Sequence, residues 1–190
     1  RIRKAWLWAD LKVGRIGEAA DLTYEHAWLG DGASALTDIR NSDFGKVLSD
    51  AERPMIVVGE GALCGEDGAA VLAKALELTN EIGAIKDGWA GFGVLHNAAG
   101  RVGALDIGFV PGEGGAATAE ILSGGMDTVV LLGADELDLS GLGDAKVIYI
   151  GSHGDAGAAR ADIILPSAAY TEMSATFVNT EGRVQMTSRA

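Results

Sequence analysis

Short apolar runs separated by longer helical patterns dominate the middle of the chain. A continuous apolar run lies at 54–59 (PMIVVG), and further short, mainly apolar segments lie at 127–135, 145–152 and 161–166. Runs of this length are typical of strands that are buried on both faces of a parallel sheet. The pattern therefore predicts four parallel strands with apolar side chains on both sides.

The clearest helical pattern follows the first of these runs. Val71, Ala75, Leu78 and Ile82 recur at i, i+4, i+7 and i+11, and Gly83 is placed to end the helix. Further helices are predicted within 32–53, 95–105 and 116–125, and one of one to two turns is predicted between the last two strands.

The alternation of strands and helices predicts an α/β fold. We expect one domain with a three-layer, doubly wound and mainly parallel sheet that has helices on both faces. Within residues 1–190 we distinguish a strand-rich block at 1–31, a parallel-sheet core at 54–166 and a polar tail at 167–190, whose segment 175–179 is a candidate edge strand. Ligands of such folds bind at the loops after the carboxyl ends of the strands.

Composition and charge narrow the possible partners. Glycine accounts for 28 residues and proline for 3, which suits many tight strand–helix turns. The net charge of −12 argues against binding to nucleic acid or to anionic lipid. No apolar run is long enough to span a membrane, and the start at Arg1 lacks the pattern of a signal peptide. We interpret the chain as a piece of a longer polypeptide.

The sequence contains no metal or catalytic signature. Cys64 is the single cysteine, which excludes a disulfide framework and the iron–sulfur and zinc motifs that need several cysteines or histidines. His26, His96 and His153 lie far apart and form no ligand-spaced pair. No serine lies in a G-x-S-x-G turn, which argues against an α/β-hydrolase. We predict no catalytic residue and no metal ligand.

The glycine-rich loop after the first apolar strand has two interpretations. Gly59, Gly61 and Gly65 resemble an imperfect dinucleotide-binding fingerprint, and Asp87 lies at the distance of a ribose-binding acid. A tight turn between a strand and a helix needs the same glycines. We favour the turn, and NAD(H) binding remains an alternative.

Two other loops are candidate anion or metal sites. The segment 112–117 (GEGGAA) precedes a helix but lacks the Lys-Ser/Thr of a phosphate-binding loop. Asp135, Glu136 and Asp138 gather after the second apolar strand. We interpret both segments as solvated loops.

The tail carries the most informative polar residues. Asn179, Thr180, Arg183 and Gln185 place many hydrogen-bonding groups on one short stretch. Such a set can line a polar cofactor, or it can fix an interface between domains.

The last thirty residues resemble a known family. The pattern A-D-x-x-L-P…E-x-x-(G/A)-T-x-x-N-x-E-G-R-x-Q is similar to the molybdopterin oxidoreductase superfamily. Five other segments lie at 1–7 (RIRKAWL), 16–26 (IGEAADLTYEH), 53–63 (RPMIVVGEGAL), 94–112 (VLHNAAGRVGALDIGFVPG) and 131–136 (LLGADE). They resemble the branch of that superfamily formed by the large iron–sulfur subunit of bacterial NADH-quinone oxidoreductase (respiratory complex I). The pattern is matched by Ala161, Asp162, Leu165, Pro166, Glu172, Thr176, Asn179, Glu181, Gly182, Arg183 and Gln185.

The resemblance implies a pterin groove that has lost its ligand. Molybdenum enzymes often have Gly-x-Asn-Pro where this chain has Gly133, Ala134, Asp135 and Glu136. An acid at this position repels a ligand that carries phosphate. We therefore expect no cofactor in this chain, with Asp135, Asn179, Arg183 and Gln185 as residues of a vestigial groove, and we expect the iron–sulfur clusters in an N-terminal part of the parent subunit.

The resemblance further implies a non-catalytic structural domain in an enzyme that passes electrons from NADH to quinone. Its expected partners are other peripheral-arm subunits and the N-terminal part of its own chain. The expected location is the cytoplasmic side of the bacterial inner membrane, or the matrix side in mitochondria, without insertion into the membrane. The alternatives are a fragment of a molybdopterin enzyme such as formate dehydrogenase, and the NAD-binding module described above.

Overall fold

The computed structural model describes residues 1–190 and combines parallel strand pairs with helices. The chain forms two units, Arg1–Asn97 and Ala98–Ala190. Each unit combines helices with a parallel sheet, so the α/β class predicted from the sequence is confirmed. The layering and the division at 31, 54 and 166 stay predictions. No helix is both long enough and apolar enough to cross a lipid bilayer.

The first unit begins with a helix that the sequence pattern did not predict. The strand-rich block expected at 1–31 does contain two strands, which pair in parallel, but a helix that ends at left-handed Asp10 (φ 50°) precedes them. The elements of this unit are α1 (Ile2–Ala9), β1 (Gly14–Ile16), β2 (Ala27–Gly30), α2 (Ala35–Asp38), α3 (Asp43–Asp50), β3 (Ile56–Gly59), α4 (Gly68–Glu81), β4 (Ile85–Lys86), β5 (Trp89–Ala90) and β6 (Phe92–Leu95), with 3₁₀ turns at Ile39–Asn41 and Glu60–Leu63.

Helix α4 confirms the strongest helical prediction. Ala75 is fully buried and Leu78 is 3% exposed, so the predicted apolar face does pack inward. Gly83 follows the helix with φ +63°, a conformation that glycine adopts without strain. The local periodicity was sufficient here because the helix forms one face of the core of its unit.

The prediction of a loop and then a helix near 95–105 was partly wrong. Residues 92–95 form β6, which pairs in parallel with β3, and the helix is shorter, at Arg101–Asp106. The backbone N–H of Ile56 donates to the carbonyl of Gly91 (2.8 Å), and the indole Nε1 of Trp89 donates to the carbonyl of Pro54 (2.8 Å). These bonds join segments about thirty-five residues apart, so the local sequence pattern does not reveal them.

The second unit is built on a three-stranded parallel sheet. Strands β7, β8 and β9 lie side by side in chain order, as expected for the last three apolar runs, and the short helix predicted between the last two strands is present. The elements are α5 (Arg101–Asp106), α6 (Thr118–Leu122), β7 (Thr128–Leu132), β8 (Lys146–Gly151), α7 (Ala156–Arg160), β9 (Ile163–Pro166), β10 (Thr176–Val178) and β11 (Val184–Met186), with a 3₁₀ turn at Ser140–Leu142.

The strands are not buried on both faces, contrary to the prediction. In β7, Val129 and Leu131 are buried, whereas Val130 and Leu132 are 56% and 73% exposed. Likewise Val58 of β3 is buried and Val57 is exposed. In the second unit, one face stays exposed because of the direction in which the chain connects the strands. Since β7, β8 and β9 follow one another in one direction, right-handed connections place both linking segments on the same face.

Strands β10 and β11 form an antiparallel hairpin in the tail. The edge strand expected within 175–179 is therefore confirmed, and its partner strand was not predicted. The register places Phe177 opposite Gln185 and Val178 opposite Val184. The tail is thus a folded structure rather than only a polar extension.

Candidate functional site

The loop after β7 carries Asp135, the first residue of the predicted vestigial groove. Asp135 is half-buried, and its Oδ1 accepts a hydrogen bond from the backbone N–H of Gly157 in the first turn of α7. The carboxylate therefore satisfies a backbone donor that the helix itself leaves unpaired. This bond ties the end of β7 to the connection between β8 and β9.

Tyr149 lies beneath this contact and was not identified from the sequence. Its ring is 2% exposed and its hydroxyl donates to the carbonyl of His153 (3.0 Å). Burial, followed by the charges of Asp135 and Asp155, raises the pKa of Tyr149. A Cβ at Gly157 would lie 2.8 Å from ring carbons of Tyr149, so only glycine fits between the ring and Asp135.

The carboxyl edge of the β7–β9 sheet is acidic. Glu136 and Asp155 are exposed there, in the loops after β7 and β8, and Asp138 is exposed further along the first of these loops. The backbone N–H of Ser140 donates to Oδ1 of Asp138 (3.0 Å), and hydrogen bonding from Ser140 lowers the pKa of Asp138. The edge thus presents negative charge at neutral pH, which disfavours a ligand that carries phosphate.

Asn179 closes the turn of the β10–β11 hairpin. Its Oδ1 accepts from the backbone N–H groups of Glu181 (3.0 Å) and Arg183 (2.9 Å), and its own backbone N–H donates to the carbonyl of Arg183 (3.1 Å). Gly182 completes the turn with φ +77°. An asparagine that bonds to the backbone two residues onward is a common turn device, so the role of Asn179 is structural in this arrangement.

The two other groove candidates lie on the same hairpin and face solvent. The Arg183 side chain is 67% exposed and lies 3.5 Å from the carboxylate of Glu181, a pair that contributes little when so exposed. Gln185 is exposed on β11. The structure therefore brings Asn179, Arg183 and Gln185 together on one hairpin, while the hydrogen bond of Asp135 goes to Gly157 instead.

The first acid of the motif fixes the start of two strands. Oδ2 of Asp162 accepts from the backbone N–H of Val147 (2.8 Å), and the backbone N–H of Asp162 donates to the carbonyl of Val147 (2.8 Å). Arg160 donates to the carbonyls of Gly143 and Ala145, at 2.9 Å each. These bonds hold the loop before β8 against the start of β9, and they account for the acid in structural terms.

The glycine loop of the first unit borders a cavity of about 1050 Å³. Gly59, Gly61 and Gly65 line it, and a Cβ at Gly59 or Gly61 would meet open space. Most of the other lining side chains are aliphatic or aromatic, and Asp87 is not among them. The geometry thus provides room beside the loop but does not bring the acid of a dinucleotide site to it.

The remaining candidate residues, Cys64 and the three histidines, do not come together in one site. Cys64 is exposed, and its Sγ donates to the carbonyl of Glu60 (3.3 Å). No group of three or more His, Cys, Asp or Glu side chains is arranged to hold a metal ion. The histidines at 26, 96 and 153 contribute to no such group.

Comparison with known proteins decides the family. The family model described as molybdopterin oxidoreductase matches residues 1–190. The chain belongs to the molybdopterin oxidoreductase family. This confirms the resemblance drawn from the motif that runs from Ala161 to Gln185.

Curated relatives of this molybdopterin oxidoreductase domain carry closely related names. It is 45% identical over 195 residues to the mitochondrial NADH-ubiquinone oxidoreductase 78 kDa subunit of Neurospora crassa. It is 43% and 42% identical over 183 residues to the G subunits of NADH-quinone oxidoreductase from Rickettsia felis and Rickettsia bellii. These matches cover 100%, 95% and 95% of the domain but only 25%, 26% and 26% of the relatives. The domain thus spans about a quarter of the length of these relatives.

Proposed function

We propose that the molybdopterin oxidoreductase domain is a non-catalytic structural part of the peripheral-arm iron–sulfur subunit of an NADH:quinone oxidoreductase. The support is the identity of 41–45% to a 78 kDa subunit of NADH-ubiquinone oxidoreductase and to G subunits of NADH-quinone oxidoreductase, with 95–100% of the domain aligned. The parent enzyme transfers electrons from NADH to quinone through iron–sulfur clusters, which lie outside this domain.

One observation carries the non-catalytic role: two of the four groove side chains are used in hydrogen bonds inside the protein. The carboxylate of Asp135 accepts from Gly157, and the amide oxygen of Asn179 closes its own hairpin. Because the adjoining edge is also acidic, the residues present do not fit an anionic pterin cofactor. The domain accordingly holds no cofactor: Asp135 and Asn179 stabilise the fold, and Arg183 and Gln185 face solvent.

The same proposal places the domain on a peripheral arm, on the cytoplasmic or matrix side of the membrane. Its partners are other peripheral-arm subunits and the cluster-bearing part of the parent subunit. Within that assembly the domain is part of a three-layer, doubly wound α/β arrangement. The apolar composition of β7, β8 and β9 supports this layering, since strands of this kind are normally covered on both faces.

The proposal is tested in Neurospora crassa, whose 78 kDa subunit aligns with the whole domain. The corresponding segment of that subunit is replaced by the domain, either unchanged or with Asn179→Ala or Arg183→Gln. We expect that the amount of assembled complex is the only quantity that the variants can change. NADH:quinone activity per assembled complex and the paramagnetic resonance signals of the clusters stay unchanged.

A catalytic role predicts the opposite result. If Arg183→Gln lowers the activity per assembled complex while the amount of complex is normal, the domain takes part in the reaction. Thr180→Ala is the matched control, because Thr180 is exposed beside the same turn and no hydrogen bond joins its side chain to another residue.

A further inference from the structure

Helix α1 has an outer face that combines basic and apolar side chains. Its inner face carries Ala5 and Trp6, which are half-buried, and the centroid of the Trp6 ring lies 6.3 Å from that of Tyr24. The outer face is formed by Arg3, Lys4, Leu7 and Trp8. Because residues four apart are neighbours on a helix surface, each of the two basic residues adjoins an apolar residue one turn further along.

The side chains of the outer face have no partner within the chain. All four are exposed, and the exposed fraction is 55% for Leu7 and 81% for Trp8. The side chains of Arg3 and Lys4 take part in no hydrogen bond or ion pair, whereas Lys12, just beyond the helix, pairs with Asp10 (2.7 Å). Tryptophan and arginine are the residue types that most often contribute strongly to binding energy at protein interfaces.

The arrangement of these side chains argues against a place in an apolar core. The two cations lie on the same face as the two apolar side chains, so covering the face with apolar residues alone would bury unpaired charges. Such burial is costly unless each charge receives a partner of opposite sign. The face therefore fits a partner that supplies acidic groups together with an apolar side chain.

The distribution of charge along the chain restricts the size of that partner. Residues 1–15 contain five Lys or Arg residues and one Asp, whereas residues 16–190 contain ten Lys or Arg residues and 26 Asp or Glu residues. The outer face is about 12 Å long, because α1 has eight residues. A lipid bilayer or a nucleic acid would extend past it to the acidic remainder of the chain and be repelled. A short acidic segment of a protein matches both the size and the charge.

We propose that the outer face of α1 binds a short acidic segment of a partner protein. Asp or Glu side chains of this segment pair with Arg3 and Lys4. One apolar side chain of the segment packs against Leu7 and Trp8 and removes their exposed surface from water. This inference rests on α1 and on the distribution of charge, and it does not depend on the function proposed for the domain.

The test uses the full 190-residue chain and a peptide of about six residues, which spans about 20 Å when extended. The peptide has a central Leu-Phe pair with Glu residues on both sides, and a matched peptide has Gln in place of every Glu. Binding is followed by NMR through the backbone amides of α1 and the indole N–H of Trp8. We expect the Glu peptide to shift these resonances and to bind more weakly as salt is added.

Three variants separate the contributions of charge and apolar contact. Trp8→Ala should weaken binding about tenfold, since it removes the largest apolar contact. Lys4→Gln should weaken binding about threefold and reduce its dependence on salt, because an exposed ion pair contributes little. Lys46→Gln is the matched control and should leave binding unchanged, because Lys46 is exposed on another helix, α3, and its side chain also forms no ion pair. No buried side chain is removed, so all three variants are expected to fold.

Several results would overturn the proposal. The first is an absence of shifts in α1 at millimolar Glu peptide, and the second is equal binding of the Gln peptide. Binding that Trp8→Ala and Lys4→Gln leave unchanged would place the peptide elsewhere on the chain. If vesicles of phosphatidylcholine and phosphatidylserine shift the α1 resonances and the Glu peptide does not, the occupant is a membrane. A dimer of the chain that Trp8→Ala abolishes would identify a second copy as the occupant.

Discussion

Asp162 provides the sharpest test of whether the family motif is structural in this domain. Its Oδ2 accepts a 2.8 Å hydrogen bond from the backbone N–H of Val147, a residue with no exposed surface. Asp162→Ala removes a charged acceptor and leaves that buried donor unpaired. Since β8 is the central strand of its sheet, the lost bond weakens the middle of the second unit.

The expected cost follows from two contributions. A hydrogen bond to a charged group contributes about 1.5–3 kcal/mol, and an unsatisfied buried N–H costs a similar amount when its partner is removed. The Asp162–Arg160 pair, at 3.8 Å and with both side chains partly exposed, adds less than about 1 kcal/mol. We therefore expect Asp162→Ala to lower the free energy of unfolding by about 2–3 kcal/mol. Asp162→Asn retains an acceptor oxygen and should lose about half as much.

The assay is urea unfolding followed by circular dichroism, combined with hydrogen exchange of the Val147 amide by NMR. Asp144→Ala is the matched control, because Asp144 is exposed before the same strand and its side chain takes part in no hydrogen bond or ion pair. A loss below about 0.5 kcal/mol for Asp162→Ala, the range of ordinary surface substitutions, would refute this reasoning. Unchanged exchange at Val147 would refute it independently.

Three other predictions concern the hairpin, the buried phenol and the glycine loop. Asn179→Ala removes an acceptor from two backbone N–H groups, so it should cost about 1–2 kcal/mol and accelerate hydrogen exchange across β10 and β11, whereas Thr180→Ala should do neither. The pKa of Tyr149 is raised in the folded state, so the free energy of unfolding should fall as the pH rises from about 10 towards that folded-state pKa. Tyr149→Phe should abolish this loss of stability at alkaline pH, as measured by unfolding at a series of pH values. NADH should leave the fluorescence of Trp89 and the other tryptophans unchanged up to millimolar concentration, whereas quenching at micromolar concentration would support the dinucleotide alternative at the Gly59 loop.

Elements with a strong local pattern could be predicted from the sequence. Helix α4 shows its buried face through Ala75 and Leu78, and the runs that became β7, β8 and β9 are mainly apolar. Strand β6 could not be predicted in this way, because Phe92–Leu95 becomes a strand through pairing with β3, far away in sequence. The exposure of Val130 and Leu132 on β7 could not be predicted either, since apolar composition does not tell which way the connections wind.

The candidate site was predicted as a set of residue types but not as a set of contacts. The motif identified Asn179, Arg183 and Gln185, which the hairpin does bring together. It did not identify Gly157 or Tyr149, because their role depends on a contact of Asp135 across the connection between β8 and β9. A glycine at the start of a short helix carries no signal of its own. Only the positions of the Tyr149 ring and of the Asp135 carboxylate show why glycine is needed at position 157.

The most direct test of the central claim is a measurement of pterin in the purified chain. The chain is produced in a host that makes pterin dinucleotide cofactors, and its pterin content is released by oxidation and quantified by fluorescence against protein concentration. The account predicts no pterin above that of an unrelated control protein, because Asp135 and Asn179 are engaged within the fold and the adjoining edge is acidic. A pterin content equal to the amount of protein would contradict it.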